Sequence, residues 1–220
     1  MSDMEAFRQA VTTWAAGGPG DPARELAARL PVRTVVLLEG LSDVAAVEAL
    51  AARRGRDLAA EGVCVLSMNG AMNVARFARL LGPPGLGLRL TGLCDERERA
   101  YYARGWERAG VSDGQEFHVC EADLEDELIR ALGHERVREV VEAQGDLRPL
   151  QTFLRQPEQR TRTPQQQLRR FLGTKKGRKI HYGRALVEAL PPTGTPTPLD
   201  ALLTGLETGR GGAGRKGVRR

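Results

Sequence analysis

Four short apolar runs, each separated from the next by a segment with helical spacing, constrain this 220-residue chain most tightly. They lie at 33–38, 63–66, 86–94 and 117–120. Between the first two, Val44, Val47 and Leu50 recur at helical spacing over about 43–54, with Gly55 closing the element. Between the second and third, Val74, Phe77, Leu80 and Leu81 share one face of a helix at about 71–81. A charged helix at about 97–109 precedes the fourth run, and another helix begins near Asp123 or Leu124. Alternating strands and helices build parallel sheets through right-handed crossovers, so the pattern predicts an α/β fold: a parallel four-stranded sheet flanked by helices.

Around this centre the chain divides into four parts. Residues 1–31 read as one or two short helices broken at Gly17-Gly18-Pro19-Gly20, with Asp21-Pro22 as an N-cap followed by proline at the first helical position. Residues 32–134 hold the strands. Residues 135–206 form a basic, mainly helical subdomain interrupted by the polar stretch Gln156–Pro164 and by a linker-like Pro191–Pro198. Residues 207–220, rich in Gly, Arg and Lys, read as a disordered basic tail.

The formal charge of +5 conceals an asymmetry. Residues 1–135 carry 15 Lys+Arg against 21 Asp+Glu, a net of −6, and residues 136–220 carry 18 against 7, a net of +11. Ten of the basic residues fall between Arg148 and Lys179, where Glu158 is the one acid. An acidic half joined to a basic half suits a metal centre beside a surface that binds a polyanion, and a solvated helix face is the plainer alternative. Aromatics, at 5%, are too sparse for a single-strand stacking platform. No stretch approaches the roughly 20 apolar residues of a membrane span, and no secretory signal opens the chain, so a cytoplasmic location is expected. Cys64, Cys94 and Cys120 lack CxxC spacing, are odd in number and fall in strands, which reads as buried apolar filling in a reducing compartment.

The acids carry the chemistry. Glu39 directly follows Val35-Val36-Leu37-Leu38, and Asp95 closes the third run. Asp43 falls in the first turn after Glu39, and Asp123 and Glu125 follow the fourth run. Open α/β sheets bind ligands at the carboxyl ends of their strands. Carboxylates gathered there repel one another unless a hard cation joins them, and Mg²⁺ or Mn²⁺ prefers such oxygens. Each acid also has a plainer reading: Asp43 or Ser42 as a helix N-cap, Asp95 as the start of a loop, the 121–127 acids as a solvated helix start favoured by the macrodipole.

Glu39-Gly40-Leu41-Ser42-Asp43, then Met68-Asn69-Gly70, then Leu93-Cys94-Asp95 resemble the TOPRIM domain, the metal-binding fold of topoisomerases, bacterial primases and small nucleases. The EGxxD form and the later Asp123-Leu124-Glu125-Asp126-Glu127-Leu128 are most similar to the C-terminal nuclease part of OLD-family (overcoming lysogenization defect) endonucleases. The resemblance implies a two-metal site for phosphodiester cleavage. Glu39, Asp43 and Asp95 would be ligands, with Asp123 and Glu125 completing the second metal, and Glu39 is alternatively a general base. It also implies a lysine near the scissile phosphate, drawn from Lys175, Lys176 and Lys179, of which Lys179 before Ile180-His181-Tyr182 matches best. Arg169, Arg170, Lys175, Lys176 and Arg178 are then candidate nucleic-acid contacts, to DNA ahead of RNA.

Two departures stand out. Where the family has DxD, this chain has Asp95-Glu96-Arg97, which Glu96 or Glu98 could compensate. Strand alternation aims Glu96 away from the site. No GxxxxGK[ST] occurs, so the expectation is a stand-alone TOPRIM, or one whose ATPase partner is encoded elsewhere. The leading expectation is a metal-dependent endonuclease, and the alternative is a catalytically degenerate nucleic-acid-binding module.

Overall fold

A computed structural model describes residues 2–111 and 117–208. Strands β1 (Thr34–Leu38), β2 (Val63–Ser67), β3 (Arg89–Asp95) and β4 (Phe117–Cys120) form one sheet in the order β2-β1-β3-β4, with every pair parallel. The chain runs from β1 to β2 on one side, then crosses to β3 on the other. The order therefore reverses between β1 and β3, and at such a switch point the crossover loops diverge and leave a crevice. Glu39 and Asp95 emerge there.

Alternation along the strands sorts the core into two layers. Val36, Leu38, Val63, Val65 and Leu93 point to one face, and Val35, Leu37, Cys64, Leu66, Leu90 and Cys94 to the other. The second face is covered by α1 (Asp3–Ala15), α2 (Asp21–Arg29), α4 (Val74–Leu81) and α5 (Arg99–Arg108). Ser2 caps α1 by accepting from the Glu5 N–H, and Met4, Phe7, Val11 and Ala15 form its buried stripe. In α2 the first helical residue is Asp21 and the cap is Gly20, one position earlier than the expected Asp21 cap, with Pro22 inside the first turn.

The first face carries α3 (Leu41–Arg53) and the C-terminal helices α6 (Leu124–Leu132), α7 (His134–Ala143), α8 (Leu147–Leu154), α9 (Pro164–Leu172), α10 (Lys176–Ala189) and α11 (Thr197–Thr208). Leu128, Val137, Leu150, Phe171, Leu186 and Leu203 join the α3 residues in one apolar cluster. The C-terminal helices thus share their core with the sheet. Arginines fasten this layer. Arg53 donates to the carbonyls of Val187 and Leu190, Arg89 to Gly205, and Arg56 to Leu203 while pairing with Glu61 at 2.6 Å.

Several boundaries differ from the sequence pattern, for local reasons. The element expected at 71–81 opens with a 3-10 turn at Ala71–Asn73 before α4, and the helix expected at 97–109 is preceded by another at Glu96–Glu98. β3 starts at Arg89, because residues 82–88 fold back on the end of α4, with the Leu86 and Leu88 N–H groups donating to the Leu80 and Leu81 carbonyls. Cys64, Cys94 and Cys120 are buried and unpaired in strands, as expected. Among the described residues no helix is long and apolar enough to cross a membrane. Residues 209–220 of the expected tail lie outside the described residues.

Candidate metal centre and basic cleft

Glu39 is the residue after β1, and the neighbouring strand fixes its backbone. Its carbonyl accepts from the Gly70 N–H (3.0 Å) and the Ser67 hydroxyl (3.3 Å). The loop that delivers Gly70 needs a left-handed backbone: φ is 54° at Asn69 and 121° at Gly70. The Asn73 amide holds this loop by donating to the Met68 carbonyl at 2.9 Å. Asparagine tolerates positive φ, and glycine adopts it without a Cβ penalty.

Asp95 ends β3, and the 3-10 turn that follows swings Glu98 back toward the strand end. One carboxylate oxygen each of Glu39, Asp95 and Glu98 lies within 4.8 Å of the others. Glu96 points outward and pairs with Arg99 at 3.7 Å. The position three residues beyond Asp95 therefore brings a third carboxylate to the strand end, where residue 97 is an arginine.

The electrostatics agree with this crowding. Burial, then the charges of Asp123, Glu98 and Glu39, pushes the Asp95 carboxyl up to about 8. Burial and the Glu39 charge push Glu98 up to about 7. Asp43 is pushed up to about 7 by burial and by Glu125, against the opposing pull of the Gly40 N–H and Lys179. Carboxyls raised together in this way are destabilised as anions until positive charge arrives. Oε2 of Glu98 is moreover buried with no hydrogen-bond partner among the described residues.

Asp43 sits at the third position of α3, where its Oδ2 accepts from the Gly40 N–H at 2.9 Å. The helix-start role that its sequence position allowed is real, and it coexists with a place among the acids.

A second group lies beside the first. Glu125 is 4% exposed and pairs with Lys179 Nζ at 3.3 Å. Burial works to discharge Lys179, but Glu125 and Asp43 outweigh it and raise its pKa. Asp123 is otherwise engaged: Oδ1 caps α6 by accepting from the Asp126 N–H at 2.8 Å, and Oδ2 pairs with Arg169 at 2.5–2.6 Å. Its carboxylate is satisfied by protein. These residues line a cleft of about 530 Å³ whose other wall brings Arg162, Gln166 and Arg170 from the α9 region.

The remaining basic candidates separate. Arg170 and Lys175 are exposed, whereas Arg169 is committed to Asp123. Arg178 is drawn inward: it pairs with Asp146 (3.1 and 3.2 Å), donates to the Thr174 hydroxyl at 2.7 Å and lies 4.3 Å over the Phe171 ring. These contacts hold helices together. His181 bonds Gln144 at 2.7 Å and does not line the cleft. Lys176 begins α10, and its side chain lies outside the described residues.

A parallel sheet whose switch point gathers acids from β1, β3 and the following turn defines a TOPRIM-type α/β domain. Residues 32–96 match the family model of the overcoming lysogenization defect protein-like TOPRIM domain. The fold extends further. The C-terminal region of the Burkholderia pseudomallei OLD protein superposes with a TM-score of 0.61 at 20% identity, over 81% of this chain and 98% of that one. The corresponding region of the Xanthomonas campestris pv. campestris OLD protein gives 0.62 at 24% identity, over 81% and 95%. No curated protein matches the chain. The chain thus carries a TOPRIM domain that resembles the nuclease part of OLD proteins, and an OLD-like TOPRIM domain suggests a nuclease-type function acting on nucleic acid.

Proposed function

We propose that this chain is a divalent-metal-dependent endonuclease that hydrolyses nucleic-acid phosphodiester bonds, in DNA ahead of RNA. The observation that carries the reading is the convergence of Glu39, Asp95 and Glu98 within 4.8 Å at the switch point, beside a cleft with basic walls. The donor set fits a hard cation: every group is a carboxylate, and Glu98 Oε2 is a buried acceptor without a donor among the described residues.

Glu39, Asp95 and Glu98 would hold Mg²⁺ or Mn²⁺. Such an ion, when bound, polarises phosphoryl oxygens and acidifies a water at neutral pH. Around it the protein's own groups position the substrate. Arg162 and Arg170 line the cleft and would draw in the phosphate backbone. Lys179 faces both the cleft and the acids, and its raised pKa keeps it cationic, so it would offset charge gathering on the reacting phosphate. A second ion would draw on Asp43 and Glu125, and on Asp123 only if Arg169 released it.

The competing reading, a binding module without turnover, rests on Arg97 in place of an acid. Glu98 weighs against it by adding a third carboxylate beside Glu39 and Asp95. Supercoiled plasmid incubated with Mn²⁺ or Mg²⁺, against EDTA, separates the two. The endonuclease nicks only with metal, and Glu39→Ala and Asp95→Ala abolish nicking while remaining folded. Binding without cleavage under every divalent ion would establish the alternative.

A further inference from the structure

Tyr102 is fully buried, and its hydroxyl has no hydrogen-bond partner among the described residues. Leaving a phenol oxygen dry in this way carries the full desolvation penalty of an unmade hydrogen bond. The ring has little freedom to avoid that cost. It packs against Trp106 (5.8 Å between centroids) and Phe117 (5.4 Å) and lies over Gly92, where an added Cβ would meet the ring at 3.5 Å. That distance is ordinary contact; what requires glycine there is the Leu37 carbonyl oxygen, which the Cβ would meet at 2.3 Å.

The hydroxyl has a candidate partner one helical turn away. Glu98 is the residue before α5 and Tyr102 its fourth residue. Side chains four apart share a helix face, and helical side chains lean toward the N-terminus, which directs the phenol toward Glu98 and the end of β3. Burial raises the Tyr102 hydroxyl well above its ordinary pKa, with further contributions from Cys94, Asp43, Glu98 and Glu39, so it stays a neutral donor. An orphan donor and the orphan acceptor Glu98 Oε2 thus lie on one face of one helix start.

Resting on the metal reading of this site, we infer that Tyr102 is a positioning residue that donates to Glu98 when the carboxylate turns to hold the ion, directly or through one water. Metal ligands depend on such supporting hydrogen bonds for orientation and basicity, and losing one weakens metal affinity by roughly 10–100-fold. Without metal the same hydroxyl is a liability to the fold.

The test is Mn²⁺ binding by calorimetry together with metal-free thermal unfolding, for the full chain and for Tyr102→Phe, Glu98→Gln and the double variant. Tyr102→Phe should weaken Mn²⁺ binding about tenfold while its metal-free Tm stays level or rises. In the Glu98→Gln background the same change should alter Mn²⁺ binding no further. Wild-type affinity in Tyr102→Phe, or a fallen Tm with unchanged affinity, would overturn the role and leave the metal site standing. A wild-type chain that takes up no Mn²⁺ would overturn both.

Discussion

At the scale of residues, Glu98 decides what this site can do. Sequence pattern singles out Glu39 and Asp95 because each stands at the end of an apolar strand run, and an acid directly after Val35-Val36-Leu37-Leu38 has little structural use. Glu98 is not legible in that way: three residues beyond the strand, it returns through a 3-10 turn that no spacing announces. What the sequence does show is that Glu96 has the wrong parity, and its outward pairing with Arg99 agrees. The two glutamates therefore make a matched pair for mutation. Glu98→Ala should lower metal-dependent nicking by at least about 100-fold, whereas Glu96→Ala should stay within about twofold of wild type, read from initial rates on supercoiled plasmid. The basic residues carry the converse lesson. Arg169 and Arg178 look like surface charge in sequence, but their partners lie 46 and 32 residues away, and only the folded chain reveals those pairings.

At the scale of elements, the close approach of α10 to α3 sets the position of Lys179. Gly183 makes it possible: a Cβ there would meet the Ser42 carbonyl oxygen at 2.5 Å. Lys179 lies one turn earlier on the same face. Gly183→Val should force the helices apart and destabilise the fold by about 1–3 kcal/mol, with loss of activity beyond what the residual folded fraction explains. Urea unfolding and nicking rates on the same sample give both quantities. A second junction ties α10 to the start of α8. Asp146 accepts from Arg178 and from the Tyr182 hydroxyl (3.1 Å), and these bonds outweigh burial to hold its carboxyl below the usual range. The contribution is therefore fully present above the unfolded carboxyl's pKa of about 3.9 and disappears as pH falls through the lower folded value. Asp146→Asn should cost about 1 kcal/mol near neutrality and nothing once the wild-type carboxyl is protonated, so the two urea midpoints converge at acid pH.

At the scale of the whole molecule, strand number, order of elements and the acid-bearing sheet edge were readable because each depends on short-range pattern. The sharing of one core between the sheet and the C-terminal helices was not, since those contacts join Val36 and Leu38 to helices more than a hundred residues on. The division of charge survives in a narrower form. Some arginines fasten helices, but Arg138, Arg148, Arg155, Arg160, Arg170 and Lys175 are exposed, and Arg162 and Arg170 line the cleft. DNA affinity should fall with salt along a log–log slope of about −2 to −4, and the Arg170→Ala, Lys175→Ala pair should flatten it by about 2. Arg178→Ala should lower Tm and leave that slope alone.

Anomalous scattering from a crystal grown with Mn²⁺ measures the central claim most directly. A manganese peak is expected within coordination distance of carboxylate oxygens from Glu39, Asp95 and Glu98 together. Ordered density for all three side chains with no peak between them, or with manganese bound elsewhere on the chain, would contradict it.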